Sequence, residues 1–336
     1  MAETILITGG CGFIGTNFVR HMLEKYDYHI INLDKLTYAG NLENLEDVAG
    51  DSRYTFVRGD IASPADLEGV FGRPVDIIVN FAAESHVDRS IMDPDTFIKT
   101  NINGTFNLLE MARKKGIKRF VQISTDEVYG SLGKTGAFRE DTPLSPNSPY
   151  SASKTSADIL AMAYFKTYGM PVIVTRCSNN YGPYQFPEKL IPLIITNALA
   201  DMELPVYGDG LNVRDWIHVK DHCAAIDLVV HKGEDGNTYN IGASNERANI
   251  EIVKLVLEIL GKPESLIRYV KDRPGHDRRY AIDSGKITEK LGYKPGVDFS
   301  DGMRETVEWY VKNKGWWERI RTGAYLDYYE KMYGNR

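Results

Sequence analysis

Apolar residues in the first half of the chain fall into short continuous runs, and the segments between them carry apolar positions at helical spacing. Residues 5–7 (Ile5-Leu6-Ile7) read as a buried strand, and residues 29–34, 54–57, 76–81, 120–124 and 172–176 repeat the signal. Between them, residues 13–26, 94–115 and 150–168 read as helices. Strands that are apolar on both faces and alternate with helices predict a parallel sheet covered on both sides. This is a Rossmann-type, doubly wound α/β fold. After Gly182 the rhythm breaks up around Pro183, Pro187, Pro192 and Pro205, and helical spacing returns over 249–260 and 302–312. The pattern predicts a sheet domain over 1–182, to which some later segments return. A smaller, mostly C-terminal α/β lobe is expected over 183–336, ending in a packed helix over 316–333. No internal repeat or flexible linker interrupts it.

At 336 residues the chain suits one large domain with a smaller one. Hydrophobic residues make up 43% and charged residues 26%, the balance of a globular protein. A net charge of −6 argues against a nucleic-acid partner. The longest apolar stretches, such as 190–195, are far too short to span a bilayer, so no membrane partner is expected. The chain opens on a strand-like run over 4–8, and no signal peptide is expected. Three widely spaced cysteines, Cys11, Cys177 and Cys223, point to a reducing cytoplasm without a disulfide framework.

Gly9, Gly12 and Gly15 lie between the first strand and the first helix with the spacing G-x-x-G-x-x-G. A tight turn there needs positive φ at one glycine, and a pyrophosphate needs backbone approach with no Cβ in the way. Phe13 and Ile14 begin the helix whose free N–H groups would face the phosphates. Asp34 follows at the end of the second strand, where the dinucleotide fingerprint places an acid. A carboxylate accepts from a ribose 2′-hydroxyl and repels a 2′-phosphate, so NAD is predicted over NADP, with adjacent Lys35 acting against that preference. Asp60, beside Ile61, either bonds the adenine amino group or caps its own loop. Ala82, Ala83 and Ser85 end the fourth strand with small side chains that let the chain pass close to a cofactor.

Tyr150 and Lys154 stand four residues apart and share one helix face. An ammonium beside a phenol favours phenolate, so Lys154 is expected to bring the Tyr150 pKa down towards working pH. The pair would then take a proton from an alcohol while the cofactor takes hydride. Thr125, Asp126 and Glu127 follow the fifth strand, at the sheet edge where open α/β folds bind ligands. An isolated Thr-Asp-Glu reads first as a polar loop with a helix cap; alternatively, since neighbouring side chains of an extended segment diverge, the two carboxylates could reach different faces of a substrate and divide acid and base roles. His218 and His222 stand at helical spacing beside Cys223, but no third ligand is evident, and a structural pair rather than a metal site is expected.

These motifs resemble those of the extended short-chain dehydrogenases. The strings NFAAESHVDRS over 80–90, STDEVYG over 124–130 and DRPGHDRRYAID over 272–283 are similar to those of the dTDP-glucose 4,6-dehydratases. The resemblance spans nearly the whole chain, and Thr125-Asp126-Glu127 is its most discriminating part, because related epimerases and decarboxylases lack the dyad. It implies NAD as cofactor, dTDP-glucose as substrate, and a homodimer built through the helices near 94–115 and 150–168.

By the same resemblance, Tyr150 would take the carbon-4 hydroxyl proton and Lys154 would hold the nicotinamide ribose. Thr125 would bond the carbon-4 oxygen, Glu127 would remove the carbon-5 proton, and Asp126 would protonate the departing carbon-6 hydroxyl. Thr100 would lie along the cofactor channel and Asn180 near the nicotinamide. Arg214 would meet the substrate diphosphate, where a planar guanidinium suits phosphate oxygens. Arg273 and His276 would close over the nucleotide. Asn179, Glu188, Lys189 and Asn249 are further substrate positions, with Ser85, Leu190, Pro205 and Tyr207 beside them. Cys11 stands where Ala is more usual; a small thiol should fit there, and whether it makes the cofactor turn sensitive to oxidation is left open by the sequence. The alternatives are a 4-epimerase, a decarboxylase or a UDP-glucose 4,6-dehydratase on the same scaffold. A non-catalytic NAD sensor is the reading of a different class, and it fits poorly with a chain that keeps Tyr150, Lys154 and both carboxylates.

Overall fold

A computed structural model of the chain describes residues 2–322 and Tyr329. In chain order the first half carries β1 (Thr4–Thr8), α1 (Phe13–Lys25), β2 (His29–Asp34), β3 (Tyr54–Arg58), α2 (Pro64–Val70), β4 (Ile77–Asn80) and α3 (Val87–Met92). It continues with α4 (Pro94–Phe97), α5 (Thr105–Lys115), β5 (Arg119–Thr125), α6 (Pro149–Tyr168), β6 (Val172–Cys177) and β7 (Asn179–Tyr181). The second half adds α7 (Leu190–Leu199), β8 (Leu204–Tyr207), β9 (Val213–His218), α8 (Val219–Lys232), β10 (Thr238–Ile241) and β11 (Glu246–Ala248). Last come α9 (Asn249–Leu260), β12 (Ile267–Val270), α10 (Gly285–Leu291), α11 (Phe299–Lys312) and α12 (Lys314–Ile320). The terminal helix expected over 316–333 corresponds to α12 at its start. Apart from Tyr329, its remainder beyond residue 322 lies outside the described residues.

Seven parallel strands form the main sheet in the order β10-β6-β5-β4-β1-β2-β3. Six are the strands the apolar runs predict. The seventh, β10, comes from the second half and pairs with β6 through Thr238↔Val174 to Ile241↔Cys177. Ile5, Ile7, Val79 and Val121 pack one face against Phe18, Val19 and Met22 of α1 and Ile226 and Val229 of α8. Leu6, Ile78, Phe120 and Val174 pack the other against Leu67 of α2, Leu108 and Leu109 of α5 and Ala161 of α6. The order reverses between β1 and β4, which opens a crevice at the carboxyl ends of the strands.

α6 begins at a capping box in which Ser148 and Ser151 exchange hydrogen bonds, with Pro149 at the first helical position, and it ends at left-handed Gly169. The helix expected over 94–115 is continuous but not uniform. Between α4 and α5, residues Ile98–Gly104 form a π turn. Gly104 explains how this widened turn sits so close to the sheet, since a Cβ there would lie 2.6 Å from the Ile61 side chain. The remaining elements build a second layer. β11-β9-β7 form a small mixed sheet and β12-β8 a parallel pair. α7, α9 and α11 bury Ile194, Ile252, Val256 and Met303 with Trp216 between them.

Candidate active site

The loops after β1, β2, β4, β5 and β6 meet in one cleft. Gly9 has φ +72°, and a Cβ on it would lie 2.8 Å from the Ala82 nitrogen. At Gly15 a Cβ would lie 2.2 Å from the Gly9 carbonyl oxygen. Gly12 caps α1 with no side-chain bond, and no acid stands in the first turn, so the helix presents its open N–H groups to the cleft. Asp34 is buried, and its carboxylate accepts from the Cys11 N–H at 2.9 Å and the Leu36 N–H at 2.8 Å. Burial raises its pKa and those two donors counter the rise. Lys35 pairs with Asp60 at 2.7 Å, which takes up the cation that would otherwise favour a 2′-phosphate. The other Asp60 oxygen accepts from the Ala62 N–H, so of its two expected roles the loop cap is the one observed. Phe13, Ile14, Ile61, Ala82 and Ala83 line the same cleft, as do Ser85 and Thr100. An open helix N-terminus, a turn with no room for Cβ atoms and a buried acid at the end of β2 suit a dinucleotide.

The open question at this end concerns Cys11. Cys11 is fully buried against Asn32, and burial pushes its thiol up to about 12. A protonated, enclosed thiol is unreactive, so an oxidation-sensitive turn is not what the structure builds.

At the other end of the cleft, α6 brings Tyr150 and Lys154 beside the carboxyl end of β5. The Lys154 ammonium donates to the Ile123 carbonyl at 2.7 Å, and Tyr150 and Thr125 line the cleft together. The expected lowering of the Tyr150 pKa by Lys154 is not what dominates. Burial, then Glu127 and Cys177, raise the phenol well above its usual value, while burial lowers Lys154. The two side chains share a face, but desolvation outweighs spacing. The expected extended dyad is also corrected. Asp126–Tyr129 is a 3-10 turn capped by Thr125, whose hydroxyl accepts from the Glu127 N–H at 3.2 Å and lies 3.3 Å from Asp126 Oδ1. Successive side chains of a 3-10 turn still diverge, by about 120°.

The two carboxyls sit in unlike surroundings. Burial, with the Glu127 charge next, drives Asp126 well above the carboxylate range, and its Oδ2 has no hydrogen-bond partner among the described residues. Burial raises Glu127 as well, but Arg273, Arg214 and Lys189 all act to lower it. The site thus separates a proton-holding acid from a carboxylate surrounded by cations.

Those cations belong to a second tier over the dyad. Arg214 is buried, donates to the Val213 and Asp277 carbonyls and lies 4.3 Å from the Tyr280 ring centre. Arg273 stands 3.8 Å from Asp88, which also accepts from the Tyr207 hydroxyl. His276 packs edge-on to Tyr207, and Asp272 holds its ring. Lys189 donates to the Ser85 carbonyl at 2.7 Å, and Glu188 pairs with Arg89 at 3.0 Å. Asn179 lines the cleft, with Oδ1 buried and unpartnered among the described residues. Asn249 opens α9 with the same unmet oxygen, but it does not line the cleft. Neither do Leu190, at the start of α7, Pro205, buried in β8 opposite Arg268, or Tyr207, Arg214, Arg273 and His276 of the tier above. His222 accounts for itself locally, since its Nδ1 meets Asn180 Oδ1 at 2.8 Å and so orients that cleft residue. His218 caps α8 and packs on Tyr181.

Sequence reasoning missed Asn101 and the Tyr38–Arg89 pair. Asn101, on the π turn, accepts from the Glu84 N–H and donates to the Glu84 carbonyl and Ser153, tying the loop after β4 to α6. The Arg89 guanidinium lies 3.9 Å from the Tyr38 ring centre beside Phe186 at the cleft. A buried Asn in a helix carries no sequence signal of its own, although a second Asn among the apolar positions of 94–115 was a visible irregularity.

A family model described as GDP-mannose 4,6 dehydratase matches residues 6–306. The chain is 53% identical to the dTDP-glucose 4,6-dehydratase of Neisseria meningitidis serogroup B, over 96% of this chain and 97% of that one. It is 55% identical to the crystal structure of dTDP-glucose 4,6-dehydratase from Bacillus anthracis in complex with NAD, with a TM-score of 0.89 over 95% of this chain and 100% of the other. A dTDP-glucose 4,6-dehydratase from Streptomyces venezuelae with NAD bound is 51% identical at a TM-score of 0.92, over 95% and 100%. The fold is also that of a UDP-glucose 4-epimerase from Thermus thermophilus in complex with NAD, 30% identical at a TM-score of 0.86 over 93% and 100%.

Proposed function

The chain belongs to the GDP-mannose 4,6 dehydratase family, and on that premise we propose that it is an NAD-dependent hydro-lyase converting dTDP-glucose to dTDP-4-keto-6-deoxyglucose. The observation that carries this reading over an epimerase on the same fold is the Asp126–Glu127 dyad, held beside Tyr150 and Thr125 with more cations around Glu127 than around Asp126.

When bound, NAD supplies the acceptor that takes hydride from sugar carbon 4 and later returns it to carbon 6. The chain does the proton work. Tyr150 takes the carbon-4 hydroxyl proton, with Thr125 holding that oxygen and Lys154 anchoring the ribose hydroxyls. A ketone at carbon 4 makes the carbon-5 hydrogen acidic, and Glu127 removes it. Asp126 gives its proton to the carbon-6 hydroxyl, which leaves as water. As hydride arrives at carbon 6, a proton returns to carbon 5 from Glu127. Arg214 and Arg273 neutralise the substrate diphosphate and favour the ionised form of Glu127 against its burial. Gly9, Gly12, Gly15 and Asp34 hold the cofactor's diphosphate and adenosine ribose. Residues 1–182, with α8, β10 and α10, act as the NAD-binding domain, and most of the rest binds the nucleotide.

The same reading takes the protein as a cytoplasmic homodimer. Its three cysteines are free and buried, and no described helix is long and apolar enough to cross a membrane. Ile98, Phe106 and Ile159 leave an apolar face exposed along the π turn, α5 and α6, which a second copy would cover.

The test is incubation with dTDP-glucose and UDP-glucose, each deuterated at carbon 4. The expected result is loss of one water from the dTDP sugar with the label at carbon 6. A product of unchanged mass with the label back at carbon 4 would establish an epimerase instead.

A further inference from the structure

Cys11, in the middle of the glycine turn, has both backbone groups tied. Its N–H donates to Asp34, and its carbonyl accepts from the Asn41 N–H and from Asn44 Nδ2, each at 3.0 Å. Asn44 is buried in the 3-10 segment Leu42–Val48 and does not line the cleft. Its Oδ1 accepts from the Trp316 indole N–H at 2.8 Å, across 272 positions of sequence, and Trp316 belongs to α12. An amide can turn either end towards a neighbour, but an indole only donates. Trp316 therefore fixes the Asn44 oxygen towards α12 and its NH₂ towards Cys11. α12 is itself seated by an Arg319–Glu43 pair, and Trp316 packs with Tyr184, Trp309 and Tyr310.

We propose that the Asn44–Trp316 pair positions the phosphate-binding turn, so that NAD affinity depends on a helix of the C-terminal layer. The inference rests on the reading of the glycine turn as the NAD site. Holding the Cys11 carbonyl towards Asn44 keeps that dipole away from the two phosphates and leaves the open N–H groups of α1 facing them. Without the pair, the Cys11–Gly12 peptide is left with the Asn41 N–H as the one hydrogen bond on its oxygen, and that oxygen is freer to turn into the space an anion needs.

Trp316→Phe keeps the ring in its aromatic cluster and removes the N–H, Asn44→Ala removes both bonds, and the double variant closes a cycle. NAD affinity is measured by calorimetry, together with Tm of the apo protein and with saturating NAD. Each single variant is expected to bind NAD about 3- to 10-fold more weakly, with a smaller NAD-induced rise in Tm. The double variant is expected to lose less than the product of the two. KM for dTDP-glucose at saturating NAD is expected to stay within about twofold, since the sugar site is untouched. If Asn44→Ala does not fold, the conservative Trp316→Phe carries the test alone. Variants with lowered apo Tm but native NAD affinity and a native NAD-induced rise would reduce the pair to packing, and independent, multiplying losses would also overturn it. A native protein that fails to bind NAD would overturn the cofactor reading itself.

Discussion

Replacing Asp126 by Asn should make the protein more stable and nearly inactive. The carboxyl is buried, lies next to Glu127 and leaves Oδ2 without a partner among the described residues, so the folded protein keeps its proton well above the usual range. Below about pH 3.9 both folded and unfolded chains are protonated and the group is neutral in the balance. Above it the unfolded chain ionises and the native one does not. Stability therefore falls as pH rises, by up to about 1.4 kcal/mol per unit, until the folded value is passed. An amide of the same shape cannot ionise and has no such slope. With an unfolding entropy of about 2.1 cal/mol/K per residue over 336 residues, about 0.7 kcal/mol shifts Tm by one degree. Each pH unit of the window is then worth about 2 °C.

The assay is Tm of the NAD-saturated protein at several pH values, paired with turnover. Asp126→Asn should gain about 2 °C or more near pH 8, and the gain should shrink on acidification. Loss of the general acid should slow water elimination about 100- to 10,000-fold while reduced nicotinamide still forms on mixing with substrate. A variant no more stable than the native enzyme near pH 8, or one that still eliminates water at a native rate, would refute the assignment of Asp126 as the protonated member of the dyad.

Tyr150→Phe removes the phenol that lines the cleft with Thr125 and should cut the first oxidation about 100- to 10,000-fold, with no reduced nicotinamide seen in a stopped-flow mix; a normal burst would mean that another group takes the alcohol proton. Asp34→Ala withdraws a carboxylate that accepts two backbone N–H groups and should weaken NAD binding at least about 10-fold while narrowing its advantage over NADP, measured by titration calorimetry; unchanged discrimination would place cofactor choice elsewhere.

Local pattern revealed what local pattern determines. The glycine turn and the apolar strand Ile5-Leu6-Ile7 announce β1 and α1 almost to the residue, and Ser148-Pro149 marks the start of α6. α8 went unread although Val219, Cys223, Ile226 and Val230 recur at i, i+4, i+7 and i+11 along one buried face, because the prolines and glycines after Gly182 broke the rhythm around it. The π turn at Ile98–Gly104 could not be read either, because its cause is the contact of Gly104 with Ile61 and the clasp of Asn101 on Glu84, both made by distant chain. The site divides in the same way. Residue identity and spacing located Tyr150, Lys154 and the dyad, but their protonation depends on burial. That is why the helical spacing of Tyr150 and Lys154 led to the wrong direction for the phenol.

The origin of β10 also bears on how the protein is made. When β6 has left the ribosome, its outer edge has no neighbour, and Val172, Ile173 and Val174 lie along it. The partner begins 61 residues after Cys177, at Thr238. At about 5–20 residues per second the nascent chain carries that open edge for roughly 3–12 s. An apolar parallel edge is a template for pairing with another chain, so this interval is the stage of synthesis most open to aggregation. It also means that residues 1–182 expressed alone would carry the exposure permanently, whereas a chain extended past Ile241 could close its own sheet.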